Sequence, residues 1–258
     1  MAYTELTCDD EGLGLETLYR MSMIDNGDGT YSQRVIDASA ALPFVCSGPG
    51  YGSFTVGDNG TIISAVSTNG YITTRDSVSE AVDTQPDGIF STGGAFCLWA
   101  SDNTGVVDGD LETLILDDLG SPITQLDTSG YGGLKGLQVG NGAFGAAIVS
   151  SNLLLESIVM HYDATTQDLS VNVAIRIISL VSAVLTTVSL PPTNALESII
   201  IDGNLPALQV NAILANAVAN GMTGGIIGLD WPGNAAPTGQ GIIDKAALIL
   251  AGNTVTTN

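Results

Sequence analysis

Few residues of this sequence have the type and spacing that catalysis requires. His161 is the only histidine, and the sequence places no serine or cysteine nucleophile beside it. The chain also lacks the G-x-S-x-G turn of serine hydrolases, the phosphate-binding P-loop and the H-E-x-x-H zinc motif. We therefore predict that His161 is a structural or exposed imidazole and that the protein is not an enzyme.

Two acidic segments resemble ligand sites without meeting the requirements of one. The segment 25–30 begins like a calcium-binding loop, but glycine occupies positions 27 and 29, where such a loop needs oxygen ligands. Five acids gather between Asp108 and Asp118, whereas glycoside hydrolysis needs two carboxyls facing one sugar about 5–10 Å apart. The spacing of these acids along the chain does not establish that any two of their carboxyls face one another across a sugar. The sequence therefore predicts no metal, no cofactor and no catalytic residue, with a carboxylate glycan hydrolase as the weaker alternative.

The charge of the chain argues against two classes of partner. The sequence has 27 Asp and Glu against 6 Lys and Arg, a net charge of −21 that is spread over both halves. Such a field repels nucleic acid and anionic membranes. The longest apolar stretch, residues 169–190, is interrupted by polar side chains that a membrane span does not tolerate. We therefore expect protein partners, with no nucleic acid and no membrane.

The C-terminal half repeats a strand-like phrase, L-x-x-φ-x-φ, in which φ is aliphatic. One short strand per turn, joining a parallel sheet, is typical of leucine-rich-repeat-like solenoids. The steps between the first leucines are 23, 21, 30 and 11 residues, so one of the last two phrases is expected to lie outside the main sheet. The stretch 169–184 alternates like a strand but has the length of a buried helix. The five phrases are Leu111–Leu116, Leu134–Val139, Leu155–Met160, Leu185–Leu190 and Leu196–Ile201.

The non-core positions of these phrases form rows across the predicted sheet. One row reads Glu112, Lys135, Glu156, Thr186 and Glu197, so Lys135 is expected between two glutamates. A second row is partly aliphatic and faces away from the core. Either this row reflects ordinary strand propensity, or it is covered by the N-terminal region or by a neighbouring subunit. The predicted interaction face consists of Ile115, Gln138, Val159 and Ile200, with Ser189 in the same row.

The end of the chain is predicted to alternate helix and strand. Helical spacing with a proline start and a glycine stop indicates helices over residues 205–221 and 238–252. Strands are predicted at 226–229 and 254–257, paired in parallel through the helices. Residues 238–258 are expected to cap the solenoid by burying the apolar side chains Ile242, Ile243, Leu250 and Val255.

The first hundred residues have the turns of a β-rich domain. Strand-like runs flank glycine turns at 25–30 and again at 58–60, and each predicts a hairpin. The predicted fold is therefore α/β (α+β overall): a β-rich domain over residues 1–100, followed by a leucine-rich-repeat-like solenoid over 101–258 with crossover helices. The three cysteines, Cys8, Cys46 and Cys97, are odd in number and widely spaced, so buried free thiols are expected.

The tail of the chain supports a resemblance to a known family. Residues 234–241, Asn-Ala-Ala-Pro-Thr-Gly-Gln-Gly, lead into a helix and then Thr-Val-Thr-Thr, and a helix containing Val210-Asn-Ala-Ile-Leu214 precedes them. This pattern resembles the closing repeat of leucine-rich-repeat-like domains in tailed-phage and prophage virion proteins, over roughly residues 105–258. The resemblance implies a virion or surface role without a stated catalytic site.

These observations together favour a non-catalytic structural protein of a phage virion: a capsid decoration protein, a head fibre or a tail component. Its expected partners are other virion proteins, in a homo-oligomer or at symmetry-related sites, with residues 1–100 as the anchor. Its expected location is the virion, assembled in the host cytoplasm. The alternative is a module of a tail fibre or cell surface that binds a host receptor or a glycan.

Overall fold

A computed structural model describes residues 4–7, 18–25, 31–37, 51–76, 82–86, 88–118, 125–140, 142 and 145–258. The chain forms two compact units, residues 1–45 and 46–258. In the first unit, Asp25 pairs with Tyr31, so two strands form the hairpin predicted there, while its turn lies outside the described residues. The three antiparallel strands of this unit are β1 (Thr4–Thr7), β2 (Leu18–Asp25) and β3 (Tyr31–Asp37).

The second unit is organised around one large sheet. In chain order, the second unit begins with the strands β4 (Tyr51–Ser67), β5 (Tyr71–Asp76), β6 (Val82–Pro86), β7 (Gly88–Ser101), β8 (Leu111–Asp118) and β9 (Gln125–Asp127). They are followed by β10 (Gly136–Val139), β11 (Ser157–His161), β12 (Thr166–Asp168), β13 (Ile177–Val181), β14 (Thr187–Ser189) and β15 (Ser198–Asp202). The last elements are α1 (Ala207–Ala219), β16 (Ile226–Leu229), α2 (Gln240–Leu250) and β17 (Thr254–Thr257).

The large sheet has a parallel half and an antiparallel half. Its order is β17-β16-β15-β13-β11-β10-β8-β4-β7-β5-β6, with β9 paired beside β4, while β12 and β14 form a separate two-stranded sheet. From β8 to β17 the neighbours are parallel, and each turn of the chain adds one strand, so the predicted solenoid is confirmed. Alternate side chains of these strands point inward and form the core, including Leu114, Leu137, Ile158, Ile178, Ile199 and Ile227.

The repeat is more regular than the leucines suggest. Four of the five predicted phrases lie in the large sheet, but Leu185–Leu190 contributes β14 to the separate sheet instead. The missing strand of the large sheet is β13, which pairs with β11 and β15. Its phrase begins with Ile175, so the steps from Leu111 to Leu196 become 23, 21, 20 and 21 residues. The ambiguous stretch 169–184 therefore contains a strand and not a buried helix.

The crossover helices predicted along the solenoid are mostly absent. Among the described residues, helices occur only at the last two crossovers, where α1 joins β15 to β16 and α2 joins β16 to β17. The earlier turns are too short for a helix, because about twenty residues must include a strand, two corners and the return segment. The unit is therefore mostly β.

The region predicted as a separate N-terminal domain is joined to the solenoid by strand pairing. Residues 51–67 form one strand in place of the predicted second hairpin, and the Asp58-Asn-Gly60 segment falls at a shift in register opposite β7. β4 then pairs with β8, the first solenoid strand. The boundary between compact units falls between residues 45 and 46, whereas the sequence places it after residue 100.

One cysteine departs from its prediction. Cys97 is disulfide-bonded, so the expectation of free thiols is wrong for this residue. Cys8 and Cys46 lie outside the described residues. The spacing of three cysteines along a chain carries no information on the distance between them in space, and the error follows from that.

In the described part of the chain, no helix is both long and apolar enough to cross a membrane.

Buried asparagines hold consecutive turns of the solenoid together. We call Asn152 and Asn172 the asparagine ladder. Each lies three residues before the first residue of a repeat phrase, which is Leu155 for β11 and Ile175 for β13. The Asn152 side-chain amide donates to the carbonyls of Thr128 (2.9 Å) and Tyr131 (2.6 Å) in the preceding turn. Asn172 donates to Val149 and Asn152 at 2.9 Å each. Each asparagine therefore adds a second hydrogen bond to turn carbonyls that already accept a backbone N–H of their own turn, and it thereby joins that turn to the next.

Candidate functional site

The parallel register brings the predicted interaction residues into one row. Ile115 pairs with Gln138, and Gln138 pairs with Val159 on the next strand. Ser179 then stands between Val159 and Ile200, in the place that the sequence assigned to Ser189. The four predicted residues therefore lie side by side on the outward face of the large sheet. Their role in interaction stays a prediction.

This row is part of a wider uncharged surface. A second outward row runs beside it and includes Ile177 and Ile226, which are 41% and 51% exposed. None of the side chains in the two rows is charged, although the chain carries 27 acids. We call this surface the sheet face. It comprises Thr113, Ile115, Gly136, Gln138, Ser157, Val159, Ile177, Ser179, Ser198, Ile200, Ile226 and Gly228.

Alternating charges border the sheet face where the strands begin. The backbone N–H of each residue in this border donates to the carbonyl of its neighbour on the preceding turn. Lys135 Nζ lies 2.7 Å from Glu112 Oε1, and Arg176 Nε donates to Glu197 Oε1 at 3.1 Å. The hydrogen bond and charge of Glu112 raise the pKa of Lys135. The border reads Glu112, Lys135, Glu156, Arg176 and Glu197, so Arg176 and not Thr186 occupies the fourth position.

The opposite border, where the parallel strands end, carries polar and aromatic groups. His161 ends β11 and is exposed, as predicted. Burial raises the pKa of Asp202, the nearby charge of Asp230 raises it further, and His161 lowers it. Trp231, which follows Asp230, is 46% exposed. His161 and Asp202 are separated by β13, so they do not form a directly paired acid and base. Within the part of the chain that the structure describes, no cluster of His, Cys, Asp or Glu could hold a metal ion.

The C-terminal helices expose an apolar surface where the sequence predicted a buried cap. Ile242, Ile243 and Leu250 are 58%, 61% and 90% exposed, so the prediction that they close the core is wrong. The buried positions of α2 are Gly241, Asp244 and Leu248. A Cβ at position 241 would collide with Asn211 of α1, so glycine permits the close approach of the two helices. The stripe that packs therefore consists of a glycine, an aspartate and one leucine, and the other apolar residues of α2 lie on the opposite side.

Helix α1 also buries some of its apolar residues and leaves others exposed. Val210, Ile213, Leu214 and Ala217 are buried, whereas Leu208, also predicted as part of the helical pattern, is exposed. The two helices are joined by paired hydrogen bonds, because Thr238 N donates to Asn211 Oδ1 at 3.0 Å and Asn211 Nδ2 donates to Thr238 Oγ1 at 3.2 Å. Helical spacing had identified both helices but not the face that each one buries.

A shallow groove lies over the separate two-stranded sheet. It is lined by residues 146–150 together with side chains of β12 and β14. Gln167 is buried beneath it, and its amide exchanges two hydrogen bonds of 3.2 Å with the backbone of Ala147. The groove is open and its buried polar group is already satisfied, so it offers a ligand only exposed side chains.

Comparison of the chain with protein-family models, with curated proteins and with solved structures finds no match. The assignment of function therefore depends on the exposed surfaces themselves. Sequence reasoning missed Ile177 and Arg176 because it required a leucine at the start of each phrase. The signal that could have found them is Ile175-Arg-Ile-Ile-Ser-Leu180, which has the same pattern one full repeat after Leu155.

Proposed function

We propose that this protein is a non-catalytic structural subunit of a phage virion, as a capsid decoration protein, a head fibre or a tail component. In this role it binds other virion proteins through the sheet face. The single observation that carries the binding role is an outward-facing, uncharged surface that spans six strands of a protein with a net charge of −21. The assignment to a virion is supported by the sequence resemblance of residues 105–258.

The composition of the sheet face suits protein contact. Apolar surface removed from water stabilises a complex by about 25 cal/mol per Å² before the costs of association. Charged groups offset this gain because they must lose water, and interface centres are accordingly poor in them. The isoleucines of the sheet face are separated by the small side chains of serine, glycine and threonine, so the surface is nearly flat. Such a surface fits an equally even partner and not a small molecule in a pocket.

Replacing Ile200 with Glu tests this role. The change places a charge on β15, within the sheet face, where a bound partner would bury it without a counter-ion. Binding to phage particles assembled without this protein should weaken at least ~100-fold, since an unpaired buried charge costs several kcal/mol. Co-sedimentation of purified protein with such particles measures the change.

The matched control is Ile148→Glu, which adds the same charge at an exposed isoleucine that lines the groove over the separate sheet. This variant should bind like the unaltered protein. Equal binding by Ile200→Glu and Ile148→Glu would exclude the sheet face as the site of attachment. Equal loss in both would indicate that added charge alone, at any position, prevents binding.

A second candidate function, binding of a glycan or host receptor, is favoured by one observation. Trp231 is half-exposed beside Asp230 at the end of the parallel strands, and an aromatic face next to carboxylates is suited to stack on a sugar and bond its hydroxyls. Asp230 is held in place by a 2.8 Å hydrogen bond from Thr256 Oγ1.

The fluorescence of Trp231 tests this alternative. The only other tryptophan, Trp99, is buried and donates to the Gly105 carbonyl at 3.1 Å, so its emission should not respond to a surface ligand. Titration with host-surface oligosaccharides should shift the emission if a sugar covers Trp231, and the shift should vanish in Trp231→Phe but persist in Trp99→Phe. An unchanged spectrum at millimolar sugar would rule this function out.

A further inference from the structure

The C-terminal end of the solenoid is almost free of charge. Residues 203–258 contain Asp230, Asp244 and Lys245, a net charge of −1. Residues 1–202 contain the other 25 acids and 5 bases, a net charge of −20, which together with −1 gives −21. The charge by which two copies of the chain repel one another is therefore carried almost entirely by residues 1–202.

The same end has an open strand edge. β17 is the terminal strand of the large sheet, and among the described strands it pairs with β16 alone. Its sequence, Thr254-Val-Thr-Thr257, contains no proline and no charge. Natural proteins usually protect exposed edge strands with proline or charged residues, because an unprotected edge pairs with another strand.

The helix beside this strand presents an apolar face. The side of α2 opposite its buried stripe consists of Ile242, Ile243, Ala246, Ala247, Ile249 and Leu250, and all six are exposed. A continuous apolar face of this kind on a chain with a net charge of −21 marks an interaction site. Because α2 joins β16 to β17, the face lies next to the open edge.

We propose that this end binds a second copy of the chain about a two-fold axis. The two β17 strands pair in antiparallel orientation, which a two-fold axis requires, and they extend the sheet from one molecule into the other. A two-fold axis perpendicular to the sheet keeps the two α2 helices on the same face of it, so their apolar sides are brought towards one another.

A second copy satisfies the requirements of this end better than an unrelated partner. The occupant must supply an open strand edge, an apolar helix on the same side of the sheet, and no strong charge. The chain supplies all three to itself by symmetry. A basic partner, in contrast, would be attracted to the acidic surfaces of residues 1–202 and not to this end.

The mass of the full-length protein in solution tests the proposal. Sedimentation equilibrium should give twice the chain mass of 26.3 kDa. Leu250→Glu and Ile243→Glu should each raise the dissociation constant of the dimer at least ~100-fold. Both side chains are well exposed, so circular dichroism and thermal unfolding should show that the variants remain folded.

Two controls separate this surface from others. Leu153→Glu adds the same charge at an exposed leucine elsewhere on the solenoid and should leave the dimer intact. Ile200→Glu should also leave it intact, so failure of this proposal is distinguishable from failure of the virion role. A protein that is monomeric at all concentrations, a Leu250→Glu variant that is still dimeric, or an assembly larger than two copies would each overturn the proposal. In the monomeric case, the apolar face is left to a different protein.

Discussion

Replacing Asn152 with Ala should lower the free energy of unfolding by about 2–4 kcal/mol, because it removes three buried hydrogen bonds and leaves a cavity. Its amide donates to two carbonyls of the preceding turn, and its Oδ1 lies 2.9 Å from the Thr128 hydroxyl. Nothing in a core formed by Leu and Ile can replace these bonds. Urea unfolding followed by circular dichroism measures the change, and Asn194→Ala at an exposed position should alter stability by less than about 0.5 kcal/mol.

The next turn of the asparagine ladder provides a complementary variant. Asn172 Oδ1 is buried without a hydrogen-bond partner. Val149 occupies the position equivalent to Thr128, six residues before the first leucine of its phrase. Val149→Thr should supply the missing hydroxyl and raise stability by about 1 kcal/mol. A loss of stability in Val149→Thr, together with no loss in Asn152→Ala, would mean that the asparagine ladder contributes nothing to the solenoid.

Deleting residues 238–258 should lower the free energy of unfolding by about 4–7 kcal/mol, which approaches the whole stability of an ordinary domain. The deletion removes the buried side chains Leu248 and Val255. It also removes Asn253, whose amide donates to the Met222 and Leu248 carbonyls at 2.8 and 2.9 Å and whose Oδ1 accepts from Gly225 N at 2.9 Å. Limited proteolysis should cut the truncated solenoid at protease levels that the full-length chain resists.

The matched control keeps the helix but removes its exposed apolar side chains. At concentrations well below the dissociation constant of the dimer, a chain with Ile242→Ser, Ile243→Ser and Leu250→Ser should unfold within about 1 kcal/mol of the unaltered protein, because these side chains are exposed in the monomer. A large loss in this triple variant would mean that the three side chains are core after all. A truncated solenoid as resistant to protease as the full chain would mean that residues 238–258 are an appendage.

Local patterns in the sequence predicted the strands and helices of the solenoid better than the contacts that these elements make. Leu111, Leu134, Leu155 and Leu196 mark true repeat strands because the same inward position of each turn must be filled by an aliphatic side chain. Ile175 fills that position equally well, so a search for leucine alone passes over β13. Leu185–Leu190 has the required pattern as well, but a phrase only eleven residues before the next leaves no length for a full turn.

Long-range contacts decide what periodicity cannot. The positions of α1 and α2 followed from proline and glycine signals, but the face of α2 that packs is chosen by Gly241, which alone permits the approach of α1. The glycine turn at 58–60 predicts a hairpin by local chemistry, yet pairing with β7 and β8 holds residues 51–67 in one strand. The shared row of Ile115, Gln138, Val159 and Ile200 was predicted from the repeat pattern, because equivalent positions of parallel repeats lie side by side. The positions on β13 and β16 were missed, because their phrases do not begin with leucine.

The antiparallel pairing of β4 with β8 has a consequence for valency. It occupies the first edge of the parallel half, so among the described strands that half ends in one terminal strand, β17. A two-fold contact uses the same edge of both copies, so joining two copies through β17 closes the assembly at that edge without propagating a fibre. The pair then carries two sheet faces at a fixed separation. On a surface of regularly repeated subunits, such a pair binds with avidity, and weak attachment by each face is sufficient for stable occupancy.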